Sequence, residues 1–423
     1  MTQTLVVLMA GHLMGRVELN SKQRLRLIYD DVWRDARGAY PLSLSMPLAA
    51  SVHEHAVVES FLWGLLPDNE FVLSRWAQRF QVSPRNVFAL LSHVGEDCAG
   101  AAQFIRPERL DDVMTAKGGA VDWLDEKNIG ERLRDLRSDH SAWRLPSDTG
   151  QFSLPGAQPK TALLLEGGRW GVPSGRIPTT HILKPPTGPF DGHAENELFC
   201  LMLAQELGLP AANATVQRFE GEVAIVIERY DRIRTEQGLV RVHQEDMCQA
   251  LGILPTRKYE NEGGPGVRKI VELLRDVSVA REEDVRTFLG AIAFNWLVTG
   301  TDAHAKNYAL LISGGATRLA PLYDLASALP YARLDVNKLK LAMKLGGEYQ
   351  LRMIGIRNWN KLASEIHQNE TAVLDPVRNI AGRMEDAART VQRNLTASGL
   401  THPLVERMAD GITLRTKALL KRL

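Results

Sequence analysis

A chain of 423 residues, 44% of them hydrophobic, is long enough to build more than one core and too apolar to be disordered. Its 51 Lys and Arg nearly balance 50 Asp and Glu, so no global field draws the whole molecule to nucleic acid or an anionic membrane, and any nucleic-acid contact has to be local. Cys98, Cys200 and Cys248 have neither C-x-x-C nor zinc spacing and read as buried free thiols of a reducing cytoplasm; TQTLVVLMAGHLMGRVEL lacks a basic start, and no segment approaches about 18 uninterrupted apolar residues, so neither export nor a membrane span is expected.

The first part, residues 1–147, opens with LVVLMA and RVEL around a Gly11-His12 turn and continues with RLRLIYDD, the alternation of a small antiparallel sheet. Helices follow. Ser83 and Pro84 are placed as N-cap and first-turn residue of VFALLSHV, and Gly95 as its stop. The polar stretch from Asp111 to Asn128 and the charged GERLRDLRSDH read as a tether. Residues 148–236 are strand-rich, with TALLLEG, RWGVP, THILKPP, VQRFEG and EVAIVIERYDR interrupted by one helix near Ala194 to Leu207. Residues 237–423 read as helical with functional loops embedded. The fold expected is α+β: a protein-kinase-like bilobal fold with an N-terminal α/β subdomain and an all-helical C-terminal lobe.

In the third part FLGAIAFNWLVTG, Phe288 to Gly300, reads as a buried helix that Gly300 ends. TDAHAKN, a strand-like YALLI, a Gly-Gly turn and RLAPLYD follow, which places Asp302, Asn307 and Asp324 on two loops joined by a hairpin. Asp302 and Asn307 have the D-x-x-x-x-N spacing of a kinase's catalytic Asp and metal-binding Asn, with a second metal-binding Asp on a later loop. The residue types suit the chemistry. A hydroxyl is a poor nucleophile and needs a carboxylate to orient it and take its proton, while Mg²⁺ prefers hard oxygen ligands and uses few protein groups. The spacing by itself is common in chains of this length, and it gains weight from the helix that stops just before the Asp.

Other residues fit nucleotide roles less specifically. The turn-rich QFSLPGAQPKT, Gln151 to Thr161, can turn N–H groups around Gly156 and Ala157 to phosphate oxygens, but it is neither a Walker A loop nor G-x-G-x-x-G, and an ordinary surface turn accounts for the same residues. Lys184 ends THILK, where an ammonium can bind phosphates with Glu197 of the next helix as partner; a solvated strand-end lysine is the alternative. Glu228 and Tyr230 follow VAIVI and can meet an adenine edge and face, although a Tyr in that place equally suits a core.

The segments PLSLSMPL, GLLPDN, EDCAGAAQF, SLPGAQPKTALL, PTTHILK, ENELFC, ERYDR, HQEDMCQALG, GGPG, TDAHAKN and PLYDLASA, in this order from Pro41 to Ala328, resemble the HipA family of serine/threonine kinase toxins. The resemblance implies ATP and Mg²⁺ as cofactors, Asp302 as the catalytic residue, and Asn307 and Asp324 as metal ligands. It implies Lys184 as the nucleotide-binding lysine, Glu228, Tyr230 and Gln244 around the adenine, and His304 and Tyr323 near the nucleotide, with a loop-stabilising hydrogen bond as the other role open to His304. Ser153, in the loop with Gly156, Ala157 and Gln158, matches the serine that family members phosphorylate on themselves, drawing the loop out of the nucleotide site and switching the enzyme off. Pro155 and Pro159 depart from the best known member, and each fixes φ and removes an N–H donor, which stiffens the loop.

The implied partners are a HipB-like helix-turn-helix antitoxin, operator DNA through that antitoxin, and a translation-related protein substrate of the aminoacyl-tRNA synthetase class. The basic C-terminal LRTKALLKRL reads either as a DNA-facing edge or as a solvated terminal helix. Two other functions stay open: an ATP-binding co-repressor subunit with little or no kinase activity, and a small-molecule kinase.

Overall fold

A computed structural model describes residues 2–115, 119–139, 142, 152–186, 190–236 and 238–423; Gln151, the first residue of the turn-rich loop, lies outside them. The chain forms two compact units. The first comprises residues 1–185, 217–256 and 310–316, and the second residues 186–216, 257–309 and 317–423. Helices and sheets are both present, so the α+β class holds.

In the first unit, β1 (Gln3–Met9), β2 (His12–Leu19), β3 (Leu25–Tyr29), β4 (Val52–Glu54) and β5 (Ala102–Ile105) form one antiparallel sheet in the order β4-β3-β2-β1-β5. The expected β1–β2 hairpin is present. Ala10 (φ 49°) and Gly11 (φ 84°) are both left-handed, the backbone that a two-residue turn between twisted strands requires. Leu5, Val7, Met9, Val17 and Leu27 pack with Phe61, Leu62, Trp76 and Leu91 of three helices, His55–Gly64, Glu70–Phe80 and Val87–Val94. The last helix starts later than Ser83-Pro84 suggests. Asn86 is its N-cap and accepts from the Ala89 N–H (3.0 Å), while Ser83 supports the preceding turn by accepting from the Arg85 N–H; Gly95 does stop it.

Within its described residues the expected tether is instead structured. It contributes β6 (Val121–Leu124), an edge strand, and a helix, Glu126–Ser138, with a capping box between Asp125 and Asn128. Ile129, Leu133 and Leu136 lie on one face at i, i+4 and i+7 and are buried, while Arg134 and Arg137 pair with Glu222 (3.3 and 3.1 Å). The high charge density of GERLRDLRSDH hides this period. A six-stranded sheet is completed by β7 (Thr161–Glu166), β8 (Arg169–Pro173), β9 (His181–Lys184), β10 (Ala214–Phe219) and β11 (Glu222–Glu228), in the order β10-β11-β9-β7-β8-β6. These strands, and the helix His193–Glu206 that separates β9 from β10, follow the sequence reading closely. A hairpin of β12 (Arg232–Thr235) and β13 (Gly238–Arg241) leads to β14 (His243–Asp246).

The C-terminal part is not all helical. The expected hairpin forms from β15 (Ala309–Ser313) and β16 (Ala316–Leu319), and a second hairpin, β17 (Lys340–Leu345) with β18 (Glu348–Gln350), turns on left-handed Gly346 and Gly347. KLAMKL buries Leu341, Ala342, Met343 and Leu345, and a Cβ at Gly346 would lie 2.1 Å from the Asn358 carbonyl oxygen. The helices Val267–Val277, Arg281–Val298, Ile356–Glu365, Glu370–Ala397 and Pro403–Leu420 all belong to the second unit. In the C-terminal helix, Arg415 donates to the carbonyls of Trp296 and Leu297 (3.0 and 3.1 Å) and Lys417 pairs with Glu385 (2.7 Å). Two of its basic residues are therefore engaged within the unit. All three cysteines are buried free thiols, and among the described residues no helix is long and apolar enough to cross a membrane.

Candidate active site

The helix Arg281–Val298, buried almost without interruption from Asp284 onward, leads directly into the loop that carries Asp302. Its stop differs from expectation. Thr299, not Gly300, takes the left-handed conformation (φ 62°), an uncommon place for a β-branched residue, and both the Thr299 and the Gly300 N–H donate to the Asn295 carbonyl, the latter at 2.7 Å. Gly300 is needed for another reason. A Cβ there would lie 2.2 Å from Asn295 Oδ1, so the chain turns out of the helix through a gap that only glycine fits.

Asp302 follows with its side chain exposed. The loop beyond it folds back on its backbone: the His304 N–H donates to the Asp302 carbonyl (2.8 Å), the Asn307 N–H to the His304 carbonyl (2.9 Å), and Asn307 Nδ2 to the Asp302 carbonyl (2.8 Å). With its amide nitrogen so engaged, Asn307 offers Oδ1 as its remaining ligand atom. Tyr323 donates from its hydroxyl to the Lys306 carbonyl (2.6 Å), which draws the segment carrying Asp324 against the 302–307 loop. That segment is held further by Ser327, whose hydroxyl donates to the Val298 carbonyl (2.6 Å), and by the Ala328 N–H to the Thr299 carbonyl (3.1 Å). Asp324 is exposed and left-handed (φ 56°), a backbone that Asp tolerates better than most residues and that a fixed loop must impose. Two hard oxygen donors, Asn307 Oδ1 and the Asp324 carboxylate, suit Mg²⁺, which takes few protein ligands and completes its shell with phosphate and water.

The predicted residues thus fall into two sets. Asp302, His304, Asn307, Tyr323 and Asp324 belong to the second unit, as does Glu197, whereas Ser153, Gly156, Ala157, Gln158, Lys184, Glu228, Tyr230 and Gln244 belong to the first. In the first unit Lys184 ends β9 opposite Ile225 and is buried, and Glu228 ends β11 exposed, opposite His181. The Tyr230 hydroxyl donates to Gln244 Oε1, which joins two of the implied adenine residues; burial, reinforced by Asp231, pushes that phenol well above its ordinary range, so it remains a donor.

The 152–160 loop is neither free nor an ordinary surface turn. Ser153 is fully buried, its hydroxyl donating to the Leu65 carbonyl (2.7 Å) and its N–H to the Asp97 carbonyl (2.9 Å). Gly156 accepts from the Asp68 N–H (3.1 Å), and Lys160, itself buried, donates to the Pro155 carbonyl (2.8 Å).

Sequence reasoning missed two features. The first is a buried ionic cluster around ERYDR. Asp97 accepts from Arg232 (2.9 Å), Arg241 (3.2 Å), Arg229 (3.3 Å) and the Thr179 hydroxyl (2.7 Å), and Asp231 accepts from Arg229 (2.8 Å) and the Gly100 N–H (2.7 Å). Burial by itself would push the Asp97 carboxyl up, but the three guanidinium groups and Thr179 hold it well below the usual carboxylate range. The alternation of VIERYDR, with Arg229 and Asp231 on the buried side of Glu228 and Tyr230, was the available signal. The second is Tyr259, whose hydroxyl donates to Asp302 Oδ1 and whose ring meets His304 edge-on (4.9 Å between centroids).

The chain matches two family models, the HipA N-terminal domain over residues 5–105 and the HipA-like C-terminal domain over residues 152–393. It is 35% identical to the presumed kinase Y4mE of Sinorhizobium fredii, with 96% of each chain covered. It is 30% identical to the serine/threonine-protein kinase toxin HipA of Shewanella oneidensis, covering 76% of this chain and 73% of that one. The HipA chain in a solved complex of Shewanella oneidensis HipA, HipB and operator DNA superposes with a TM-score of 0.82 over 99% of this chain and 97% of that one at 24% identity, which shows the shared fold.

Proposed function

From the membership of this chain in the HipA family, to which it belongs, we propose that it is a serine/threonine protein kinase of the toxin type, using ATP and Mg²⁺ and acting on a translation-related protein and on its own Ser153. The observation that carries the reading is the catalytic loop, where an exposed Asp302 carboxylate stands beside an Asn307 amide tied to the Asp302 carbonyl and a Tyr323 hydroxyl tied to the Lys306 carbonyl.

In this reading Asp302 orients the acceptor hydroxyl and takes its proton, and Asn307 and Asp324 hold the metal. Bound Mg²⁺ would supply charge neutralisation on the transferring phosphoryl group. Lys184 binds phosphate oxygens, Glu228, Tyr230 and Gln244 surround the adenine, and His304, Gly156, Ala157 and Gln158 line the rest of the nucleotide site. We read residues 148–236 as a nucleotide-binding lobe of a kinase-like fold and residues 237–423 as the lobe with the catalytic and metal-binding loops, after an N-terminal part that ends near residue 147. A HipB-like helix-turn-helix antitoxin is the proposed partner, with operator DNA bound through it.

The burial of Ser153 gives the self-inactivation a physical form. Its hydroxyl must leave the Leu65 carbonyl before it can accept a phosphoryl group. A phosphate, near two negative charges, cannot return to a pocket where a carbonyl oxygen faces it, so the modified loop stays out.

The test is intact and peptide mass spectrometry after incubation with ATP and Mg²⁺, beside Asp302→Asn treated identically. Phosphate on Ser153 in the parent and not in the variant is expected. No phosphate on either, with ATP binding retained, would replace this reading with the co-repressor function.

A further inference from the structure

We propose that Tyr259 is a positioning residue for the catalytic carboxylate: its hydroxyl, donating to Asp302 Oδ1, fixes the rotamer and leaves Oδ2 to face the acceptor hydroxyl. The inference rests on the kinase reading of Asp302. An exposed Asp with only its backbone anchored samples several rotamers, and a base has to be held within a fraction of an ångström of its proton to contribute fully. The hydroxyl removes that freedom from one side through a charge-assisted hydrogen bond.

Tyr259 is itself held. The Lys258 carbonyl accepts the Ala305 N–H (3.2 Å), which latches its segment directly to the catalytic loop, and the ring packs edge-on against His304 at an interplanar angle of 83°. Glu260 accepts the Lys344 N–H of β17 (2.6 Å), anchoring the other side.

The same contacts explain GGPG, a motif to which the nucleotide and metal roles assign nothing. Gly263 is left-handed (φ 90°) and its carbonyl accepts from Arg257 (3.2 Å); the Gly264 N–H returns to the Tyr259 carbonyl (2.9 Å). A Cβ at Gly264 would lie 2.2 Å from the Arg257 carbonyl oxygen, and one at Gly266 would lie 2.6 Å from the Glu260 carboxylate. The glycines permit a turn tight enough to close on Tyr259, and that turn fixes where its hydroxyl points.

The experiment follows the rate of phosphate transfer from ATP·Mg²⁺ to the protein itself at saturating ATP, with ATP affinity by calorimetry and Tm alongside. It compares the parent with Tyr259→Phe, Tyr259→Leu, Asp302→Asn and the Tyr259→Phe, Asp302→Asn double variant. Tyr259→Phe keeps the ring and loses only the hydroxyl. The expected result is a rate about 10- to 100-fold lower with ATP affinity and Tm unchanged. Tyr259→Leu should lose little further rate, and the double variant should be no slower than Asp302→Asn alone, because the effect passes through that carboxylate. A parental or faster rate in Tyr259→Phe, or a loss explained by weaker ATP binding or a lower Tm, would overturn the role while leaving the kinase reading intact. A parent that transfers no phosphate, like Asp302→Asn, would overturn both.

Discussion

Two sets of carboxylates, one in each unit, occupy opposite environments. Asp302 and Asp324 in the second unit are exposed, with Asp302 Oδ1 accepting from the Tyr259 hydroxyl and the loops around them tied together through the Asp302 and Lys306 backbone carbonyls. Asp97 and Asp231 in the first unit are buried and saturated by Arg229, Arg232, Arg241, Thr179 and Gly100, with no oxygen left for a ligand. Glu245 is a third kind: buried, accepting from the Ser43 hydroxyl (2.5 Å) and the Leu44 N–H (2.8 Å), and pushed up to about 8 by burial and by Asp246. All three kinds lie in segments that carry the family resemblance. A shared motif therefore marks a residue that matters without saying whether it acts or supports.

The same substitution made in both places breaks the comparison most sharply. Asp302→Asn should lower phosphoryl transfer by roughly 10²- to 10⁴-fold and leave Tm within a degree or two, as expected for an exposed general base. Asp97→Asn should do the reverse. Removing one partner leaves three buried guanidinium groups facing Asp231 alone and costs about 3–5 kcal/mol, which chemical denaturation of the two variants would resolve. An Asp97→Asn protein as stable as the parent would show that the cluster contributes no net stability.

Gly300→Ala tests how closely the proposed catalytic loop depends on its helix. A Cβ 2.2 Å from Asn295 Oδ1 has to displace either the loop or an Asn that already donates to the Ala291 carbonyl (2.9 Å). A stability loss of about 1–3 kcal/mol is expected from the overpacking. Transfer should fall by about 10- to 100-fold through misplacement of Asp302, with ATP affinity largely kept.

The smallest effect concerns Glu245 and has a definite sign. Its folded value lies above its ordinary one, so the folded chain binds the proton more tightly than the unfolded chain. This contribution is complete below the ordinary value of about 4.5 and is lost as pH rises through about 8. Asp97, held low, contributes in the opposite sense, and its share is lost only in acid. Thermal melts from pH 5 to 9 should therefore show a decline of a few degrees in the parent that Glu245→Gln flattens; identical slopes would mean that Glu245 is ionised in the fold throughout.

Much of this was legible in the residues. The strands from Thr161 to Glu228, the β1–β2 and β15–β16 hairpins and the helix before Asp302 follow from periodicity and turn residues, because a strand or helix is encoded by neighbours a few positions apart. The spacing of Asp302 and Asn307 is likewise local, since the Asn307 amide reaches back only five residues to the Asp302 carbonyl. Where local signals competed, the reading failed: charge concealed the Glu126–Ser138 helix, Gly300 looked like a helix stop that Thr299 supplies, and the alternation of KLAMKL was absorbed into a helical C-terminal part. Tertiary structure decided what no short window contains. Tyr259 lies 43 residues from Asp302, and Arg229 lies 132 from Asp97. Such pairs form only when packing brings distant segments together and buries them, and the low dielectric of that interior is what turns Arg and Asp side chains, ordinary on a surface, into a fixed ionic core.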